Sequence, residues 1–508
     1  MKQVLLIVFA VLVLPVICQN QHSLSAQSLT ETPVVSVQEA QTIALNFFRV
    51  TVPGFNAHTQ LTASLKYTKT VPGHTVAFYV FDIDPAPGFV IVAANKNVTP
   101  ILAYSTERKF NTDFNHVGVS NWMYKTSENI YLALQQNAKA DERIAGLWTV
   151  YEQEQKPSAT KNNTVSPMVT TLWDQESLGN PPPYLYNLYC PYNNTDHQRC
   201  LTGCVATAQA QIMKFWNYPA QGTASFSYLD NVSNGYSYNY GNQSANFGIT
   251  TYDWANMPVT MTDTTAGIND TAVAVLMYHC AVSVGMDFGD DNQSGSGAEA
   301  VQADAGAGQA CSEYALPNYF SYNPATIRGV YESNYTQANW IALIEGELTG
   351  GRPVLYEGND SIQGGHAWVC DGFDANDMFH MNWGWSGIDN GYFAVTNLTT
   401  SGNYNPIQDE EALIGIEPLS PATGVNTTTD FSFNVFPNPA KNDIVVQVEK
   451  TARETTLFLK NVLGQTLLSK NISDLNTRID LSEFSSGFYL FELRQGDKSV
   501  SKKVIISK

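Results

Sequence analysis

The sequence predicts an α+β chain of several domains that ends in a small all-β sandwich. Three observations carry this expectation. A capped amphipathic helix and a hairpin pattern fall before residue 151, helical patterns give way to short glycine-punctuated strands between about 168 and 417, and the composition changes again beyond 418. The length points the same way: 508 residues exceed what one hydrophobic core organises, so two to four domains are expected.

Taken in order, the chain opens on "MKQVLLIVFAVLVLPVICQN", one lysine followed by an apolar run interrupted at Pro15. At about 15 residues the run is short for a membrane span and reads as a signal peptide over residues 1–19. Cys18 raises the question of lipid attachment, and the bulky Ile17 before it argues against that processing. No later stretch is long and apolar enough to span a membrane. "SVQEAQTIALNFFRV", residues 36–50, starts on a serine with Glu39 three positions on, a capping box before an amphipathic helix. "AFYVFDIDPAPGFVIVAANKNVTPILAYS" alternates β-branched and aromatic residues around a D-P-A-P-G turn, which predicts a hairpin. A polar linker follows over 151–167, with Lys156 and Lys161 open to proteolysis.

In the next segment "AVAVLMYHCAVSVGM" predicts a buried helix, and "GRPVLYEG", "GGHAWVCDGFD", "FHMNWGW" and "GYFAVTNL" predict short strands. Residues 431–508 are slightly basic, 11 Lys and Arg against 8 Asp and Glu, on a chain whose formal net charge is −19. Their alternating runs between G-Q, S-G and G-D turns predict the sandwich. Hydrophobic residues at 44% and charged ones at 14% describe folded protein. The acidic balance repels phosphate backbones and anionic membranes, so nucleic acid is not an expected partner.

Six cysteines follow Cys18: Cys190, Cys200, Cys204, Cys280, Cys311 and Cys370. An even count allows three bridges in an oxidising compartment, no spacing has the C-x-x-C form of a zinc site, and which thiols stay free is left open. Cys190 and Cys200 are close enough in sequence to bridge a short loop.

Cys204 stands apart because Gly203 precedes it and the helix-forming run "VATAQAQIMKFW" follows. A helix N-terminus favours thiolate, and its free N–H groups can hold a developing oxyanion. A base is needed as well, and His366 follows two glycines in "IQGGHAWVCDGFD" and leads into a strand. "FHMNWGWSGIDNGYF" offers Asn382 to orient the imidazole and Trp383 and Trp385 to exclude water. Gln175, in "TLWDQ", supplies a side-chain amide for the oxyanion. His380 shares a strand face with Asn382 and reads as structural. Cysteine, histidine and amide together describe thiol acyl transfer, which needs no metal or organic cofactor.

These stretches resemble the streptopain family of secreted cysteine peptidases, which have the papain-like fold. The resemblance runs through "VSPMVTTLWDQ", "TGCVATAQAQIMKFWNYP", "YDWANMP", "SVGMDFGDDNQSGSGA", "GGHAWVCDGFD" and "HMNWGWSGIDNGYF", in order, over nearly all of residues 166–417. It implies that Cys204 is the nucleophile, His366 the general base and later acid, and that Gln175 and the Cys204 N–H line the oxyanion hole. It divides the orientation of His366 between Asn382 and Trp383, and suggests that Met286, Ser296, Gly365 and Trp385 border the substrate cleft. The first unit resembles that family's inhibitory propeptide, through "GFVIVAANKNVTPILAYS". The last resembles the C-terminal sorting domain of type IX secretion, through "FNVFPNPAKNDIVVQV", "LKNVLGQTLLS" and "FSSGFYLFELRQGDKSVSKKVIIS".

The implied order is signal peptide 1–19, propeptide 20–163, papain-like cysteine peptidase 164–418, linker 419–430 and sorting domain 431–508. The resemblance implies protein or peptide substrates, the chain's own propeptide as inhibitor, and the type IX secretion machinery as partner. Export would run through the periplasm and across the outer membrane, to release or to the cell surface. Two other readings remain: a transglutaminase or cell-wall amidase with the same thiol chemistry, and a surface binding protein that has lost turnover.

Overall fold

The structure is a computed structural model that describes residues 33–508 except 56–59, 114–116, 158–162, 176–184, 196, 262–266, 291–292, 294, 359–364, 396–409, 420–432, 439, 449–454, 462–465, 486 and 496–497. The expected signal peptide with Cys18, the cut point Lys161 and nearly all of the 419–430 linker lie outside the described residues.

Ser36 starts helix α1 (Val37–Thr51): its side chain accepts the Glu39 N–H at 3.2 Å, half of the expected capping box. Glu39 itself pairs with Lys96 at 2.8 Å instead of closing the box. The predicted hairpin forms from β2 (Thr75–Asp84) and β3 (Gly88–Ala93), flanked by β1 (Thr62–Val71) and β4 (Ile101–Ser105). Helices α2 (Val117–Gln135) and α3 (Glu142–Glu152) complete the first unit. Phe47, Phe48, Phe78, Phe81 and Phe89, each at most 1% exposed, pack α1 onto this sheet.

Two short hairpins, β5 (Tyr192–Asn193) with β6 (Gln198–Arg199) and β7 (Phe226–Asp230) with β8 (Gly241–Ala245), flank helix α4 (Cys204–Trp216) in sequence. The buried helix predicted around "AVAVLMYHC" is α5 (Ile268–Ser283). Two further helices, α6 (Gln302–Ala305) and α7 (Ser312–Phe320), come before β9 (Arg328–Tyr331), α8 (Gln337–Thr349) and β10 (Val354–Gly358). Then follow β11 (His366–Phe373), β12 (Phe379–Asn382), β13 (Gly391–Phe393) and β14 (Glu410–Ile414).

The two units share one ten-stranded sheet in the order β1-β2-β3-β4-β13-β12-β11-β10-β14-β9. The seam is the antiparallel pair β4–β13, where Tyr104 faces Tyr392 and Ala103 faces Phe393. The two tyrosine rings stack with centroids 4.9 Å apart. Every residue of β11 is buried, because α4 covers one face and the first unit with α8 covers the other. Such double coverage explains why its sequence is a nearly unbroken apolar run.

Beyond residue 432, β15 (Phe433–Phe436), β16 (Asp443–Val448) and β19 (Asn476–Asp480) form one antiparallel sheet. A second contains β17 (Thr455–Lys460), β18 (Thr466–Asn471), β20 (Gly487–Gln495) and β21 (Lys498–Ile506). Phe433, Ile444, Leu457, Leu459, Phe491 and Leu493 belong to a core separate from those of the first two units. None of the described helices is long and apolar enough to cross a membrane.

An ion triad, buried at His380 and Asp371 and open to solvent at Glu107, ties the first unit to the second. His380 Nδ1 lies 2.6 Å from Asp371 Oδ1 and its Nε2 lies 2.8 Å from Glu107 Oε1. Burial opposes its charge, but the attraction of Asp371, then the hydrogen bonds to Asp371 and Glu107, outweigh it and lift its pKa to about 9. Because the folded value lies above that of a free imidazole, this stabilisation is complete below about pH 6.5 and is lost as pH rises through about 9. Its full size is about 3 kcal/mol. The full chain should therefore lose more thermal stability between about pH 6 and about pH 9.5 than a His380→Gln variant does. Parallel stability–pH curves for the two proteins would show that His380 is not charged in the folded chain.

Candidate active site

Gly203 caps α4 with φ 90°, a conformation that glycine adopts without strain. It also has no room for a side chain, since a Cβ there would stand 2.5 Å from Met286 Cε. Cys204 is therefore the first helical residue, at the helix end where the first N–H groups lack intrahelical partners. Burial pushes the thiol up to about 11, the Ala367 N–H pulls it down, Glu357 pushes it further up, and the Val205 and Cys204 N–H groups pull it down again. In this arrangement the thiol is neutral at physiological pH.

Ala367 follows His366 at the start of β11, and the pull of its N–H on the thiol places the sulphur alongside the histidine's strand. The imidazole is 3% exposed, and its Nε2 donates to the Trp383 carbonyl oxygen at 2.9 Å. Trp385 stacks on the ring at 5.6 Å with planes 11° apart, and Trp368 lies at 6.1 Å and 18°. Trp383 is held by its indole N–H to Asp389 O and by its backbone N–H to Asn390 Oδ1, each at 3.1 Å. Against this cluster sits the first turn of α2. A Cβ on Gly118 would stand 2.7 Å from His366 Cδ2 and 2.7 Å from the Trp383 ring, so only glycine permits the approach.

Gln175 is 3% exposed, and its side-chain amide makes no hydrogen bond among the described residues. Its backbone is fixed: the N–H donates to Asp174 Oδ1 at 2.7 Å and the carbonyl accepts from Asn187 Nδ2 at 2.7 Å. Asn187 Oδ1 in turn accepts from the Thr202 N–H at 2.9 Å and hydroxyl at 2.6 Å. Asn187 thus bridges the Gln175 backbone to the residue two before Cys204. Ser386 donates to Asp174 Oδ2 at 2.6 Å, tying the same segment to the tryptophan loop.

Asn382 does not reach the imidazole. Its Nδ2 donates to the Thr171 carbonyl at 2.7 Å and to Gln211 Oε1 at 3.2 Å, and its Oδ1 accepts from Gln211 Nε2 at 3.4 Å. Its amide spans β12, α4 and the 165–175 segment, and the Trp383 main chain holds His366 instead. Met286, 0% exposed, packs against Gly203. The Ser296 hydroxyl donates to Leu201 O at 2.7 Å and to Gly289 O at 3.0 Å, which leaves its main chain facing Gly203. Gly365 is exposed directly before His366.

The six described cysteines are free thiols, so the bridges that the even count allows are not formed among them. Cys200 donates its N–H to Pro191 O, one register step from Cys190, and the Cys190 sulphur lies 3.5 Å from the Thr202 hydroxyl. Burial holds both thiols at about 12. Sequence reasoning missed Gly118, Asn187 and Gln211. Only Gln211 left a signal, as an amide inside an otherwise apolar helix run.

Residues 178–393 match the Peptidase C10 family, residues 28–130 match the Spi protease inhibitor family, and residues 434–507 match the secretion system C-terminal sorting domain. Streptopain of Streptococcus pyogenes is 31% identical over 360 residues, covering 67% of this chain and 80% of streptopain. The thiol protease/hemagglutinin PrtT of Porphyromonas gingivalis is 28% identical over 403 residues, covering 76% of this chain and 42% of that protein. A solved fragment of Prevotella intermedia prointerpain A superposes with a TM-score of 0.54 at 29% identity, covering 70% of this chain and 99% of the fragment. That fragment confirms a papain-like peptidase of mixed helix and sheet. Matched over four fifths of streptopain and carrying an inhibitor domain and a sorting domain on either side, the chain belongs to the peptidase C10 (streptopain) family of cysteine peptidases.

Proposed function

We propose that this secreted cysteine peptidase zymogen cleaves protein or peptide substrates through Cys204 and His366, and that its first unit silences it by seating the Gly118 turn of α2 against His366 and Trp383. The observation that carries the reading is the meeting of the α4 N-terminus with the start of β11, where the N–H of Ala367, the residue after His366, is near enough to the Cys204 sulphur to pull the thiol's pKa down.

Once the first unit is removed, Nδ1 of His366 takes the Cys204 proton while Nε2–H holds the ring to its acceptor, and the thiolate attacks the scissile carbonyl. The Cys204 N–H and the Gln175 amide hold the oxyanion, in keeping with an amide that is otherwise unengaged. Imidazolium then protonates the leaving amine, and water hydrolyses the thioester with His366 again as base. Trp385 and Trp383 cover the ring, Asn382 fixes the β12 end that carries Trp383, and Met286, Ser296, Gly365 and Trp385 border the cleft. Ser296 acts through its main chain, since its hydroxyl is committed to Leu201 and Gly289.

The same reading divides the chain into propeptide 20–163, peptidase 164–418, linker 419–430 and a sandwich-like sorting domain at 431–508. Pairing of Val165 with Phe373 supports placing the first boundary just before it. The two C-terminal sheets around one core support the sandwich. The sorting domain directs export to the medium or the cell surface, and handover to type IX secretion machinery is part of the proposal.

Purified full chain, wild type and Cys204→Ala, is incubated with and without reductant while self-cleavage is followed by mass spectrometry and casein hydrolysis by peptide release. Reduced wild type should shed about 160 residues and digest casein, and the variant should do neither. Casein hydrolysis by Cys204→Ala at the wild-type rate would remove Cys204 from the mechanism. A second expectation concerns latency: Gly118→Val cannot seat α2 on His366, so a thiol-directed epoxide should label Cys204 in the uncleaved variant at least about tenfold faster than in uncleaved wild type. Equal labelling rates would place the block elsewhere.

A further inference from the structure

Helix α2 does more than press on His366. Two turns beyond Gly118 its Lys125 ammonium lies 3.0 Å from Glu410 Oε1 and 3.6 Å from Glu332 Oε2, carboxylates that are 4% and 1% exposed. Tyr356 donates its hydroxyl to Glu410 Oε2 and accepts the Trp340 indole N–H at 2.8 Å. The floor from this pair to the active site is aromatic throughout. Trp340 and Tyr356 lie 5.9 Å apart, Tyr356 and Trp368 5.2 Å, and Trp368 and His366 6.1 Å. Carboxylates at the end of an aromatic track suit a side chain with an apolar stem and a cationic tip.

The register gives the spacing. Gly358 of β10 is paired with both His366 and Glu410, so the two flank it on one face of the sheet. Two strand intervals put them about 10 Å apart, a distance an extended peptide covers in about three residues. Ala367 and Glu357, on the opposite face, look toward α4 and Cys204. The acyl half of a substrate stays with Cys204, and the leaving half departs over His366 and along the track.

We propose that Glu332 and Glu410, with Tyr356 and Trp340 beneath them, form a subsite for a lysine or arginine two to four residues after the scissile bond. In the zymogen Lys125 occupies it as a stand-in for the substrate. Removal of the propeptide takes away that cation and leaves two carboxylates that a basic substrate side chain satisfies. This assignment rests on Cys204 and His366 being the reacting pair.

The test uses full-length protein matured by processing and three quenched peptides that differ only at the third residue after the cut: lysine, norleucine or glutamate. Wild type should show a kcat/KM for lysine at least about tenfold above norleucine, with glutamate lowest. Glu332→Gln/Glu410→Gln should bring the lysine-to-norleucine ratio to about one while the norleucine rate per epoxide-titrated site stays within about twofold. Glu410→Gln alone serves if the double variant does not mature, and its ratio should fall at least about threefold. A wild-type ratio near one, or a ratio unchanged in the variants, overturns the subsite. Wild type that hydrolyses casein and all three peptides equally defeats only this inference, whereas wild type that hydrolyses neither casein nor peptide defeats the Cys204–His366 reading beneath it.

Discussion

The 2.9 Å hydrogen bond from His366 Nε2 to the Trp383 carbonyl decides what the rest of the molecule can do. Nε2 carries the proton of that bond, which makes Nδ1 the accepting nitrogen of the ring, and the neighbouring Cys204 thiol, raised to about 11 chiefly by its burial, is neutral. The first unit extends the peptidase sheet at β13, and that alignment delivers the Gly118 turn to the face of His366 and Trp383. Inhibition here is a matter of shape before it is one of charge, and a single missing methyl group makes the fit possible.

A second set of bonds keeps the surroundings of His366 assembled. The segment from Val165 to Gln175 runs along the peptidase without regular structure and is held by side chains from distant parts of the chain. Asp371 accepts the Val169 N–H at 2.7 Å, Gln211 accepts the Thr171 hydroxyl at 2.9 Å, and Asn382 donates to the Thr171 carbonyl. Each of these polar groups is buried and satisfied, which makes the set specific as well as stabilising. Asp371 also holds His380, and through it Glu107 of the first unit, so the strand that carries His366 at one end carries an interdomain ion triad near the other.

Local features of the fold were legible in the sequence because their causes are local. The Ser36 cap, the β2–β3 hairpin and the start of α4 at Cys204 follow from turn chemistry and periodicity within a dozen residues. The β4–β13 seam was not legible, since it joins short buried strands nearly 290 residues apart and neither carries an alternating face. Asn382 shows the same limit at the site. Residue type suggested a partner for the imidazole, but its amide meets Thr171 and Gln211, and only tertiary structure sets that choice. The cysteine count likewise invited bridges where burial leaves thiols. Gly118 left no trace at all, because a glycine required by a contact with residues 248 and 265 positions away looks like any helix glycine.

The most direct test of this account is a crystal structure of the processed enzyme set beside that of the uncleaved chain. The account predicts that loss of the first unit uncovers His366 and Trp383 and places Nδ1 of the imidazole within about 3.5 Å of the Cys204 sulphur. A processed and active enzyme in which neither ring nitrogen of His366 comes within about 5 Å of that sulphur would contradict it.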